Sequence, residues 1–305
     1  MKFLVVGVGA VGSVFLSFLS RAKHQAIGLV KPGRDLKRIK VEGIWGEFEQ
    51  EVMVVDDISR LDYLPDVIIV SVKSYDTESA LKEISSLVEK GSYLLIAQNG
   101  YGNYEKAINL FGKDRVILSR IIFGAKLLEW GRVRVTVCAD HVVLGSPYSS
   151  IDEAFLRRLA DTLNASGIPT RYDRDVYKYL WDKILYNCAL NPLGALLEAK
   201  YGQLAENPHT REVMDSIIDE AYEVLKAYKI QTFHASPQEY RKHFYQELIP
   251  PTAEHYPSML EDIKKGKTEI DALNGSIVSL AREAGIKTPV NQAITAMIKA
   301  KESIR

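Results

Sequence analysis

The sequence predicts a doubly wound, largely parallel α/β sheet in its first half and an all-helical second half. Three observations carry this. Short apolar runs alternate with stretches of helical spacing up to about residue 150. The first run ends in Gly7-Val8-Gly9-Ala10-Val11-Gly12, and an apolar segment of helical length follows it. Beyond residue 151 strand signals all but vanish.

In order along the chain, residues 2–6 form a compact apolar run and the segment to about residue 19 continues it, strand and then helix. Residues 26–30 give a second strand, stopped by the Lys31-Pro32-Gly33 turn. Residues 67–72 (VIIVSV) are β-branched and nearly continuous, as suits a parallel strand buried on both faces. Helical spacing returns over 77–88. Residues 93–97 read as the next strand, ended by Gln98-Asn99-Gly100, and 116–123 as a further one. Residues 132–137 (RVRVTV) alternate strictly, as a half-exposed antiparallel edge does, with 142–144 as the expected partner. Helical patterns then cover 152–165, 177–198, 210–228, 237–248, 268–284 and 290–300, with 168–175 as the link between the halves. The expected domains are 1–168, a dinucleotide-binding domain, and 169–305, an all-helical substrate and catalytic domain. A cleft between two such domains is where ligands commonly bind.

The 305 residues exceed what one hydrophobic core usually holds. Lys plus Arg (39) balances Asp plus Glu (39), so no overall positive field draws in nucleic acid or an acidic membrane surface. Cys138 and Cys188 are far apart and outside any CxxC pattern, the usage of a reducing cytoplasm with free thiols. The six histidines show no ligand spacing, so no metal is expected. The uncharged run 3–20 has the look of a signal peptide. Its glycines at 7, 9 and 12 have a better explanation, and no later stretch has membrane-spanning length. The expectation is a cytoplasmic protein whose partner is a small molecule, with a homodimer among the options the sequence leaves open.

Three constellations carry chemistry. In the Gly-x-Gly-x-x-Gly run, Gly7 permits a tight turn, Gly9 lets backbone approach a pyrophosphate, and Gly12 lets the helix pack close to the sheet. The amides of Val8, Ala10 and Val11 would face the phosphates with the helix dipole behind them. This is the Rossmann pattern; a glycine-rich core turn is the plain alternative. Where a cofactor with free ribose hydroxyls would meet Asp or Glu, this chain has Lys31 with Arg34 behind it. Cations there attract a 2′-phosphate, so NADP(H) is expected over NAD, unless the pair is only an exposed basic turn.

Lys73 and Asn99 follow the strands at 67–72 and 93–97. They stand at the carboxyl ends that face the ligand crevice of an open parallel sheet, or are a strand-terminal Lys and a turn-forming Asn-Gly. Finally, Lys183, Asn187 and Asn191 stand four residues apart in a mostly apolar stretch. That spacing places them on one helical stripe, about 6 Å apart along the axis. Burying two amides and an ammonium is costly unless something polar faces them: a substrate with carbonyl, hydroxyl and carboxylate groups, or a neighbouring helix.

With these residues in view, the chain resembles the ketopantoate reductases (2-dehydropantoate 2-reductases) over nearly its whole length. The match rests on GVGAVG, VKSYDT from Val72, QNG around Asn99, and the W-x-K-x-x-x-N-x-x-x-N-P stretch from Trp181. A closing motif of Ser258-Met259-Leu260-Glu261-Asp262, Lys267-Thr268-Glu269-Ile270-Asp271 and Asn274-Gly275 completes it. The resemblance implies a helical second domain like the C-terminal domain of 6-phosphogluconate dehydrogenase. It also implies that the glycine loop and Lys73 hold the cofactor, that Asn99 touches cofactor and substrate, and that Lys183 is the general acid. Asn187, Asn191 and Ser258 would bind substrate, Glu269 would sit beside the nicotinamide ribose and Lys183, and Ala125 would offer a backbone contact to the cofactor. This chain departs from the pattern at three places. Lys31 stands where some members have arginine, Tyr201 where some have a further substrate-binding asparagine, and the segment from Ser258 to Glu269 is one residue short.

The reaction so implied is NADPH-dependent reduction of 2-dehydropantoate to (R)-pantoate, on the route to pantothenate and coenzyme A. Hydride adds to the keto carbon, and Lys183 protonates the oxygen. Reduction of another 2-oxo or hydroxy acid, and a nicotinamide-binding sensor without turnover, are the rival readings.

Overall fold

In the computed structural model, which describes residues 1–138 and 140–304, the first apolar run is strand β1 (Lys2–Val6). Its Phe3, Leu4 and Val5 have no exposed surface, as the middle of a two-sided sheet requires. Helix α1 (Ala10–Arg21) and strand β2 (Gln25–Leu29) follow, then β3 (Arg38–Gly43), β4 (Phe48–Glu51), β5 (Met53–Val55) and β6 (Val67–Val70). Helices α2 (Thr77–Glu83) and α3 (Ser85–Glu89) lead to β7 (Tyr93–Ile96), and α4 (Asn103–Phe111) to β8 (Val116–Arg120). The half closes with β9 (Phe123–Glu129), β10 (Arg132–Cys138), β11 (Val142–Gly145), α5 (Glu153–Ala165) and β12 (Thr170–Tyr172).

Eight strands form one sheet in the order β12-β11-β8-β7-β6-β1-β2-β5. Every neighbour pair in it is parallel except β8 with β11. The expected partnership of 142–144 with 132–137 is therefore corrected: β11 pairs with β8 and β12 instead. Its Val142, Val143 and Leu144 are almost fully buried, which suits an interior strand and not an edge. The alternating β10 does pair antiparallel, with β9, but it is not the edge its alternation suggests: β3 runs parallel along its other side in a four-stranded sheet β4-β3-β10-β9. The buried face of α1 holds this second sheet through Phe18 edge-on to Trp45 (5.6 Å) and Phe48 (5.1 Å), and Phe15 edge-on to Phe123 (6.1 Å). Strands β3, β4, β5 and β9 lie outside the expected elements, although Ile39 and Val41 alternate with Arg38 and Lys40 in the way that marks a strand.

The described chain divides into two compact units, Met1–Asn99 with Asn103–Tyr177, and Gly100–Gly102 with the residues from Lys178 onward. The segment placed as a link at 168–175 contains β12, hydrogen-bonded to β11, and this carries the first unit past residue 168.

The second unit is helical. Its long element, α6 (Val176–Leu197), begins in the last residues of the first unit. Trp181, Ile184, Leu185, Cys188, Ala189 and Leu190 are at most 1% exposed, so the helix is enclosed on nearly all sides, which is why its sequence is apolar nearly all round. Then come α7 (Tyr201–Glu206), α8 (Pro208–Ala227), α9 (Pro237–His243), α10 (Ser258–Lys264), α11 (Asn274–Glu283) and α12 (Pro289–Ser303). Asn207 caps α8 by accepting from the His209 and Thr210 amides, with Pro208 in the first turn where its missing N–H costs nothing. The helix expected over 237–248 is α9 followed by a π-turn at Phe244–Leu248, and that over 268–284 is a 3₁₀ turn at Ile270–Ala272 followed by α11. Among the described residues no helix is long and apolar enough to cross a membrane, and no cluster of ligating side chains could hold a metal ion.

Candidate active site

In the first unit, the glycine run sits where β1 meets α1. Gly7 has φ +88°, a left-handed conformation that only glycine adopts without strain, and a Cβ there would stand 2.6 Å from Val72 Cγ1. A Cβ on Gly12 would stand 2.0 Å from the Gly7 carbonyl oxygen, so helix and turn touch backbone to backbone. A Cβ on Gly9 would meet nothing within 4 Å. Gly9 is also the N-cap of α1 and carries no side chain to satisfy the first amides. Open space against an uncapped helix start is the cradle a pyrophosphate needs. The Ser71 hydroxyl donates to the Gly7 carbonyl (2.8 Å) and fixes the turn to the end of β6. Gly12→Ala should destabilise the protein by about 1–3 kcal/mol through overpacking, read as a lowered Tm; an unchanged Tm contradicts the tight contact.

Two residues beyond Ser71 is Lys73, and Asn99 lies at the end of β7. A buried relay ties these two strand ends together. Gln98 Nε2 donates to the Val72 carbonyl and to Thr77 Oγ1 (both 2.8 Å), Thr77 Oγ1 donates to Asn103 Oδ1 (2.8 Å), and Asn103 Nδ2 donates to the Asn99 carbonyl (2.9 Å). Glycine turn, Lys73 and Asn99 thus line neighbouring carboxyl ends of β1, β6 and β7. Lys31, at the end of β2, is exposed and its Nζ is 3.3 Å from Asp76 Oδ2. The Arg34 guanidinium lies 4.8 Å over the Trp130 ring. Ala125 lies in β9 of the four-stranded sheet, opposite Val135, with a register shift between Val135 and Val137 beside it.

In the second unit, α6 carries Lys183, Asn187 and Asn191 on one stripe, as the four-residue spacing predicts. Lys183 is partly buried; Asn187 and Asn191 are 8% and 7% exposed. Among the described residues the Asn187 amide makes no hydrogen bond, and its polar atoms are not among the fully enclosed ones that lack a partner. Asn191 Oδ1 accepts from the Tyr201 hydroxyl at 2.7 Å. Pro192 follows directly and lacks the N–H that would meet the Cys188 carbonyl. That carbonyl instead accepts from Asn274 Nδ2 (3.1 Å), which also donates to Asn291 Oδ1 (3.0 Å). Asn291 Nδ2 donates in turn to Glu220 Oε2 (2.8 Å). The sequence pairs Asn191 with Pro192 on α6, and three other helices supply the polar groups that make this break tolerable.

Ser258 is exposed at the first turn of α10. Glu269 precedes the 3₁₀ turn Ile270–Ala272, and that loop is pinned on both sides. Glu302 Oε1 accepts from the Thr268 amide (2.6 Å) and hydroxyl (2.5 Å), and Lys299 pairs with Asp271 at 2.6 Å. Sequence reading missed Gln98, Thr77 and Asn103, the pairing of Asp76 with Lys31, and the role of Asn274. Only Asn274 left a signal, since a proline inside a helical pattern implies a donor from elsewhere.

A family model described as ketopantoate reductase PanE/ApbA matches residues 3–148, and one described as ketopantoate reductase PanE/ApbA C terminal matches residues 175–302. The chain is similar to the 2-dehydropantoate 2-reductase of Aquifex aeolicus (strain VF5), 60% identical over 302 residues that cover 99% of this chain and 97% of the relative. Among solved structures it is similar to a PanE/ApbA family ketopantoate reductase from Ralstonia eutropha JMP134, 26% identical with a TM-score of 0.85 and 99% of each chain covered. It is also similar to D-mandelate dehydrogenase in a ternary structure with NADH and anilino(oxo)acetate, 25% identical with a TM-score of 0.86 and the same coverage.

Proposed function

The chain belongs to the ketopantoate reductase family, and from that premise we propose that it reduces 2-dehydropantoate to (R)-pantoate with NADPH, in the supply of pantothenate and coenzyme A. The observation that carries the proposal is the relative at 60% identity along the whole chain. The open cradle at Gly9 and the Lys183, Asn187, Asn191 stripe supply the chemistry it requires. When bound, the nicotinamide supplies hydride to the keto carbon. The chain's own groups do the rest. The α1 amides and Lys73 hold the cofactor, Asn99 and Glu269 position its nicotinamide end, and Ala125 offers a main-chain contact. Lys183 Nζ stabilises the negative charge that grows on the substrate's carbonyl oxygen and then protonates it. Asn187, Asn191 and Ser258 hold the substrate so that one face of its carbonyl is presented. A cytoplasmic homodimer is the setting we propose, read by light scattering of the purified protein.

The test follows NADPH and NADH absorbance with 2-dehydropantoate and a panel of other 2-oxo acids. Oxidation of NADPH with 2-dehydropantoate as the preferred substrate is expected, and no oxidation with any of them overturns the proposal. Lys31→Ala should raise the KM for NADPH about tenfold and leave that for NADH unchanged, because only the former carries a phosphate for the ammonium to meet. An equal effect on both removes Lys31 from the 2′-phosphate site.

A further inference from the structure

Tyr201 opens α7 and is 5% exposed, and its hydroxyl reaches Asn191 Oδ1 at 2.7 Å. Its ring is fixed by contacts that do not involve the hydroxyl. Tyr186 stands edge-on to it at 5.8 Å, His255 lies at 5.7 Å, and the Tyr201 amide donates to the His255 carbonyl (3.1 Å). An asparagine amide offers an acceptor on one side and two N–H donors on the other, and its two orientations cost little to exchange unless a partner selects one. A phenol held by its own ring is such a partner. With Oδ1 turned to Tyr201, Nδ2 faces the other way, and among the described residues it makes no hydrogen bond. Burial pushes the Tyr201 phenol well above its ordinary range, which favours the protonated, donating form.

We propose that Tyr201 is a positioning residue: its hydroxyl fixes the Asn191 amide so that Nδ2 meets the substrate, and that subsite selects an oxygen with free lone pairs over an ammonium group. The inference rests on Asn191 as a substrate ligand and adds the reason for its orientation. A carboxylate, hydroxyl or carbonyl oxygen of a 2-oxo acid satisfies Nδ2. An amino group would set donor against donor and leave both unpaired, which costs far more than a missing contact.

The test is steady-state kinetics with 2-dehydropantoate and NADPH for Tyr201→Phe, Asn191→Ala and the double variant, with Tm measured alongside. Tyr201→Phe removes one oxygen and keeps the packing ring. It should raise the substrate KM about tenfold and leave the NADPH KM unchanged, with only the small loss of Tm that an unpaired Asn191 Oδ1 entails. Asn191→Ala should raise the substrate KM at least as much, and the double variant should be no worse than Asn191→Ala alone, because the two act as one unit. An unchanged substrate KM in Tyr201→Phe, beside a raised one in Asn191→Ala, overturns the inference. So does a Tyr201→Phe variant that loses Tm and both KM values together, the mark of a purely structural role. An unchanged KM in Asn191→Ala overturns the reading of Asn191 itself, and with it the inference.

Discussion

Lys183→Ala should lower the turnover of 2-dehydropantoate by roughly 10²- to 10⁴-fold, the range for loss of a positioned proton donor, and leave NADPH affinity within about twofold. Hydride arriving at a carbonyl carbon leaves its charge on oxygen, and a lysine ammonium is the compact, mobile donor that neutralises it. Lys183 is partly buried on a helix whose Trp181, Ile184, Leu185 and Cys188 are almost wholly buried, so its Cα is held firmly. Removing the side chain leaves that packing in place, and the variant should fold and titrate with NADPH as the parent does. Turnover near the parent level would falsify the role of general acid. Loss of NADPH binding alongside turnover would move Lys183 from the chemistry to the cofactor.

The second large effect is on stability. Asn274→Ala should cost about 2–3 kcal/mol, because it strands the buried Cys188 carbonyl and takes a donor from Asn291 Oδ1. The origin of that cost can be isolated. Pro192→Ala returns an N–H to the helix at the position that faces the Cys188 carbonyl, so the double variant should recover about half of the loss despite the greater freedom alanine gives the unfolded chain. Thermal melts of the four proteins complete the cycle. A double variant no more stable than Asn274→Ala would assign the value of Asn274 to its bond with Asn291 alone.

Much of the fold was legible because it rests on local patterns. VIIVSV is a strand buried on both faces before any neighbour is known, and the run from Trp181 is a helix by its spacing. What was not legible depends on partners distant in sequence. Whether 142–144 joins β10 or β8 is decided by which strand needs an apolar neighbour, and nothing within the segment states it. Strands β3 and β4 carry polar residues on their open face, among them the Arg38 and Glu51 ion pair at 3.1 Å, and so resemble a loop to a reader looking for apolar runs. The site divides in the same way. Lys183, Asn187 and Asn191 declare themselves through a spacing on one helix. Tyr201 as the partner of Asn191, and Asp76 as the partner of Lys31, come from other elements and show only in the folded chain.

The bond from Asn274 to the Cys188 carbonyl spans 86 residues of sequence. During synthesis α6 emerges well before Asn274, the donor to the Cys188 carbonyl that Pro192 leaves without a helical N–H. One hydrogen bond of the helix that presents Lys183 thus depends on long-range closure and not on the helix itself. A nascent chain halted before residue 274 would carry every residue of the Lys183 stripe and still lack the donor that completes it.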